Sequence, residues 1–174
     1  MSLLAIAQWI QSTDFFAFLR GSSNTYPIIM TLHLTGIALF GGMVLLTDLR
    51  LLGLAMRRRT VSDLVEQLRA PKRIGLLIVV TCGILMAGSK AEEYYYNAFF
   101  WTKMSLLALV GVHGLVFRRS VYRNTAELDR AARIPGQAKL AASLSLILWM
   151  GLIVAGRGIG YIQPDLNLIH ARLR

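Results

Sequence analysis

Four stretches of this chain carry almost no charge, and their lengths decide what it folds into. Gly21 to Thr47 is uncharged apart from His33, and Ile74 to Ser89 has no charged residue at all. Tyr94 to Phe117 is uncharged apart from Lys103 and His113, and Leu140 to Tyr161 apart from Arg157. The hydrocarbon core of a bilayer is about 30 Å thick and takes roughly 20 apolar residues in a helix. Four transmembrane helices are therefore expected, over 26–50, 73–90, 96–117 and 139–161, packed as an all-α bundle in one membrane domain. The second stretch is the shortest, and Arg73 and Lys90 extend along their aliphatic stems to the two interfaces.

Composition agrees: 55% of the 174 residues are hydrophobic and 16% charged, against about a quarter charged in soluble domains. A lone cysteine, Cys82, rules out an internal disulfide and Cys-rich metal motifs. The net charge of +10 would suit nucleic acid, but its distribution points elsewhere. Of nineteen Lys and Arg, seven lie between Asp48 and Arg73 and six between Arg118 and Lys139. By the positive-inside rule these two connections are cytoplasmic and both termini lie outside. The chain then reads as a multi-pass protein of a bacterial cytoplasmic membrane, with anionic lipids as partners of its arginine-rich face and no nucleic acid. The aromatic cluster Tyr94 to Trp101 falls at the outer interface, where such rings sit at headgroup level.

Residues 1–20 are expected to form an amphipathic helix on the outer surface, with Leu3, Ile6, Ala7 and Ile10 on one face. The segment lacks the basic start and the cleavage site of a signal peptide. Ser22, Ser23 and Asn24 supply caps for the first span, and Pro27 suits its first turn. Val61 to Leu68 and Thr125 to Arg133 read as short amphipathic helices within the cytoplasmic connections, and residues 162–174 form an outer tail.

Ionisable groups inside a span are costly and are the first place to seek function. At 1.5 Å rise per residue, His33, Lys103 and Arg157 fall in one outer layer, with Tyr161 one turn beyond Arg157. Such a basic layer suits haem propionates, a quinone headgroup or a carboxylate. His33 is a candidate haem-iron ligand, with Met104, Met86 or a folded-back His170 as the sixth ligand. Gly36, one turn from His33, leaves room for a flat ring or a neighbouring backbone. His113 is a weaker candidate iron ligand, and it lies about 18 Å deeper than His33, so the two cannot serve one iron.

Each of these residues also has a structural reading. A histidine in a span can tie its helix to a neighbouring carbonyl, and Lys103 and Arg157 can reach phosphates or pair with Glu92 and Glu93. Asp48 and Arg50 read as loop anchors, Asp48 paired with Arg118 or Arg119 and Arg50 with Asp48. The glycines of the GRGIG string at 156–160 report helix packing, since no strand precedes them as a dinucleotide loop requires. No Ser-His-Asp set, HExxH, CxxC or phosphate loop is present, which leaves hydrolase or kinase chemistry without candidate residues.

The strings YPIIMTLHLTGIALFGG and DLRLLG, with FFWTKMSLL and GRGIGY, resemble a family of small bacterial four-helix membrane proteins of unknown function. The resemblance maps shared residues onto His33, Gly36, Asp48, Arg50, Lys103, Arg157 and Tyr161. More remotely, the chain is similar to b-type membrane cytochromes and CopD-like proteins, although two histidines within its spans fall short of the four that two bis-His haems need. The expected function is a membrane subunit that holds haem b or a quinone near the outer face. It would exchange electrons with an extracytoplasmic redox protein, within a larger membrane complex or with a second copy of itself. The alternative is a cofactor-free structural subunit of such a complex. A small anion transporter fits less, lacking a broken helix or an acid deep in a span.

Overall fold

A computed structural model describes residues 2–131 and 133–172; the side chains of Arg118, Leu168, His170 and Arg172 lie outside what it describes, and with them the expected fold-back of His170. The helices in chain order are α1 (Leu3–Ser12), α2 (Asp14–Gly21), α3 (Thr25–Leu51), α4 (Val61–Ser89), α5 (Ala91–Tyr95), α6 (Ala98–Val116), α7 (Thr125–Arg130), α8 (Gly136–Tyr161) and α9 (Leu166–Arg172). A π-helical turn, Arg118–Tyr122, follows α6, and there is no strand among the described residues. Helices α3, α4, α6 and α8 are long and apolar enough to cross a membrane.

Two elements depart from the pattern read in the sequence. The N-terminal segment is two helices, because Thr13 adopts an extended conformation and its hydroxyl donates to the Ile10 carbonyl at 2.9 Å. The second span is longer than its apolar stretch. The amphipathic segment at 61–68 continues through Pro71 into the span as one helix of 29 residues. Proline lacks the N–H that would bond the carbonyl four residues back, yet the helix carries on.

The start of α4 explains its extent. Thr60 caps it by accepting from the Asp63 N–H at 3.2 Å. Asp129, at the end of α7, accepts from the Val61 N–H at 2.6 Å, from the Ser62 N–H at 3.0 Å and from the Ser62 hydroxyl. Burial works to raise the Asp129 carboxyl, but these donors and the nearby Arg50 charge outweigh it and hold the group below the usual carboxylate range. One side chain thereby fastens the two arginine-rich connections to each other.

Side chains in this fold are distributed to suit lipid. Ile74, Leu77 and Ile84 on α4, Leu115 and Val116 on α6, and Ile147 and Met150 on α8 all point outward. The buried apolar cluster lies at the arginine-rich end instead: Leu51, Val61, Val121, Leu128, Ala138, Ala141 and Ala142. Its three alanines belong to α8 and let that helix approach its neighbours closely.

Helix α3 packs along α4 and also on α8, and α8 packs on α6, whereas α4 and α6 share no extended contact. The four spans thus form a bundle with one loosely closed side. At the aromatic end, α1 and α2 are fastened to the α4–α5 corner. Gln8 donates to Glu92 at 2.7 Å, the Gln11 side-chain oxygen accepts from the Glu92 N–H at 2.9 Å, and Arg20 donates to the Ser89 carbonyl at 3.1 Å. The Phe16 ring occupies the space a side chain at Gly88 would fill.

Candidate functional site

His33 leaves α3 toward α4 and is 8% exposed. The Val79 carbonyl stands in hydrogen-bonding position to its ring, while Nδ1 is buried and has no partner. Nδ1 therefore has no hydrogen-bond partner within the described residues. Gly83 makes the fit possible, since a Cβ there would lie 3.2 Å from Cε1 and 3.8 Å from Nδ1.

Lys103 comes from α6, on the other side of the bundle. It is half-buried, its charge reaches the His33 ring, and a Cβ at Gly156 would lie 3.8 Å from its Nζ. Among the described residues no carboxylate pairs with it: Glu93 pairs with Lys90 at 3.0 Å, and Glu92 is engaged by Gln8. The Lys103 charge thus acts on the His33 ring from across the bundle.

Arg157, one residue from Gly156, stands at the same level but on the exposed side of α8. Its Nη2 donates to the Tyr161 hydroxyl at 2.6 Å and its guanidinium covers the Tyr161 ring at 4.9 Å, with Tyr161 76% exposed. These two engage each other rather than the imidazole. Gly36 is buried against α4, where its Cβ would meet Val79 Cγ2 at 3.0 Å. Its role is helix contact. Met104 and Met86 are half-buried on α6 and α4.

The rim of this site is set by Asn97, 4% exposed. Its side-chain oxygen accepts from the Phe99 and Phe100 N–H groups at 2.9 and 3.3 Å and caps α6, while its amide donates to the Ile162 carbonyl at 2.7 Å. Phe99 then lies on Gly158. Tyr94 stacks on Phe100 at 5.1 Å, and burial, followed by Tyr26 and Glu93, pushes its phenol above the ordinary value. The glycines at 156 and 158 thus serve packing.

A second polar cluster lies at the arginine-rich end. Asp48 is 2% exposed, faces the Ser145 hydroxyl and the Lys72 charge, and has one carboxylate oxygen without a partner. Lys72 donates to the Thr47 hydroxyl at 2.6 Å. Burial, and then Asp48, push the Tyr122 phenol above its ordinary value. The expected pairing of Arg50 with Asp48 is not made, while a pairing of Asp48 with Arg118 lies outside the described residues. The Arg50 Nε donates instead to the Arg59 carbonyl at 2.7 Å. Asp48 turns inward because Ser145 and Lys72 lie on the helices that flank α3, while Arg119 is exposed and makes no ion pair with it.

His113 belongs to this second end. Its Nε2 lies 2.9 Å from the Ala141 carbonyl, and its ring packs beside Phe117 and Tyr122. That bond ties α6 to α8 and occupies the nitrogen most suited to a metal.

The donor sets differ in what they fit. His33 and Lys103 offer an unpartnered ring nitrogen and an ammonium, suited to a headgroup that carries carbonyl or hydroxyl oxygens. They fit a haem poorly, because a porphyrin over Nδ1 would have to part α3 from α4, which pack together at Gly83 and Gly36. No group of three or more His, Cys, Asp or Glu among the described residues is placed to hold a metal ion.

Residues 8–162 match the family of unknown function DUF6644. The chain belongs to that family. No curated protein and no solved structure matches it, and nothing in these comparisons links it to b-type cytochromes or CopD-like proteins. The match to the family spans all four apolar helices and both polar clusters.

Proposed function

We propose that this membrane protein holds a quinone headgroup at its aromatic end and passes electrons between the membrane pool and a redox partner docked there. The observation that carries the reading is the partnerless, buried Nδ1 of His33 in the field of the Lys103 charge, a lysine without a carboxylate partner among the described residues. An unsatisfied polar atom in a bundle costs free energy. A ligand that satisfies it recovers that cost.

A bound quinone supplies two-electron, two-proton redox chemistry. The residues divide its handling. Nδ1 of His33, which has no protein partner, hydrogen-bonds a headgroup oxygen. The Lys103 ammonium donates to a headgroup oxygen and favours negative charge on it. Gly83 lets the imidazole lie close against α4, and the loosely closed α4–α6 side gives a route from the lipid. The arginine-rich end faces the cytoplasm of a bacterial cell in this reading, so the partner is extracytoplasmic.

The test is extraction. Protein solubilised from native membranes should yield quinone in stoichiometric amount, His33→Ala and Lys103→Met should lose it, and His113→Ala should keep it. Wild-type protein without quinone, or a full complement in His33→Ala, contradicts the proposal. A Soret band in the reduced protein would move the reading to haem. A second reading, a cofactor-free accessory subunit, draws on Gly111 and Gly114 of α6, where an added Cβ would meet no described side chain within 4 Å. Recovery in a stoichiometric complex free of cofactor would favour it.

A further inference from the structure

The arginine-rich end carries a feature that the site above does not use. An open depression of about 320 Å³ lies between the turn after α3 and the segment after α7. Arg50, Arg57, Arg58, Arg59 and Arg133 line it, and the one acid beside them is Asp129. Asp129 is already committed to Val61 and Ser62. Five guanidiniums therefore face one spent carboxylate, a net charge of +4.

Arginines that serve only as a topology signal need no fixed arrangement, since charge anywhere in the connection suffices. Here the turn is built. Gly53 and Met56 both adopt positive φ, +74° and +51°, and the chain between them folds back on the end of α3. Arg50 donates through Nε to the Arg59 carbonyl at 2.7 Å, and Arg57 donates through Nε to the Gly53 carbonyl. Both are held by the stem side of the guanidinium, which leaves their terminal nitrogens available. Arg59 spends one terminal nitrogen on Gln67 at 2.9 Å. Arg58 and Arg133 have no protein acceptor among the described residues. Guanidinium forks of this kind match phosphate oxygens two at a time.

We propose that this depression is a binding site for a ligand carrying two or more phosphate charges, presented either on a lipid headgroup or by a soluble compound. Several forks converge, which suits a compact polyanion more than one phosphodiester. Arg50 closes a membrane-spanning helix, so the site is reached both from the headgroup layer and from water.

Full-length protein in nanodiscs of zwitterionic lipid is titrated with inorganic pyrophosphate. In parallel, detergent-solubilised protein is exchanged against a lipid bearing two phosphates, and retained lipid is counted by native mass spectrometry. Arg58→Gln with Arg133→Gln removes two charges from the depression, and Arg119→Gln with Arg123→Gln removes two from the other arginine cluster. All four side chains are exposed, so both variants should fold, and thermal unfolding checks that they do. Saturable binding of at least one probe is expected, weakened about tenfold or more by the first pair and little changed by the second. Pyrophosphate binding in zwitterionic discs identifies a soluble ligand, whereas retained lipid that pyrophosphate does not displace identifies a headgroup. Absence of saturable binding by either probe overturns the proposal, as does equal weakening by the two variants.

Discussion

At the scale of single residues, the informative groups are those whose polar atoms have been counted. Asp129 is held below the usual carboxylate range, so its contribution is complete above the unfolded value of about 3.9 and is lost as pH falls through the lower folded value. Asp129→Asn should lower stability near neutral pH by about 1–2 kcal/mol, the worth of a helix cap, and should flatten the loss of stability below about pH 4. Unfolding midpoints in detergent across pH 3–7 check both. Asp48 is buried, and the half-buried Lys72, which donates to Thr47, acts on it through its charge without an ion pair between them. Asp48→Asn or Lys72→Met alone should cost about 1 kcal/mol, and the double variant should cost less than the sum of the two. A double variant that costs the full sum would show no coupling between them. Asp48 and His33 were legible in the sequence as ionisable residues in spans. Ser145, Thr47, Val79 and Gly83 were not, because serines, valines and glycines are ordinary in membrane helices and only the packing of α3 on α4 and α8 shows which ones face a charge.

At the scale of elements, the apolar stretches predicted the spans to within a few residues at most ends, since length and hydropathy decide whether a helix crosses a bilayer. The start of α4 was the exception. Its first turns are polar and amphipathic and contain Pro71, so periodicity separates them from the span, yet the Thr60 and Asp129 caps keep them helical. The break at Thr13 was equally hidden, because the apolar face repeats on both sides of it. The glycine-rich end of α8 could be read as a packing surface, and the structure shows what it packs: the Phe99 ring covers Gly158 so closely that a Cβ has no room. Gly158→Ala should therefore cost about 1–3 kcal/mol through overpacking, measured by thermal unfolding. Gly160→Ala, with open space beside it, should be nearly neutral. Similar losses for both would mean the α6–α8 contact is not held by that ring.

At the scale of the molecule, the two ends differ in kind. The arginine-rich end packs alanines, leucines and a buried acid with one unpartnered oxygen, whereas the aromatic end holds an imidazole with an unpartnered nitrogen that feels the Lys103 charge. Charge asymmetry predicts that these ends lie on opposite sides of the membrane. In a Cys82→Ala background, Arg58→Cys should react with an impermeant maleimide only from the cytoplasmic side and Tyr96→Cys only from the other; reversed labelling would invert the reading. Counting residues gives an expected depth for His33, Lys103 and Arg157, but the outward turn of Arg157 is not readable that way, since helix rise fixes depth and leaves facing to be set by packing. The most direct test of the site is nitrogen-15 NMR of histidine-labelled protein titrated with a short-chain quinone. The His33 Nδ1 resonance, starting as a nitrogen without a hydrogen-bond partner, should shift saturably, and Lys103→Met should weaken that shift, while His113 stays fixed on Ala141. A His33 signal that does not move, or that moves only together with His113, would contradict the account.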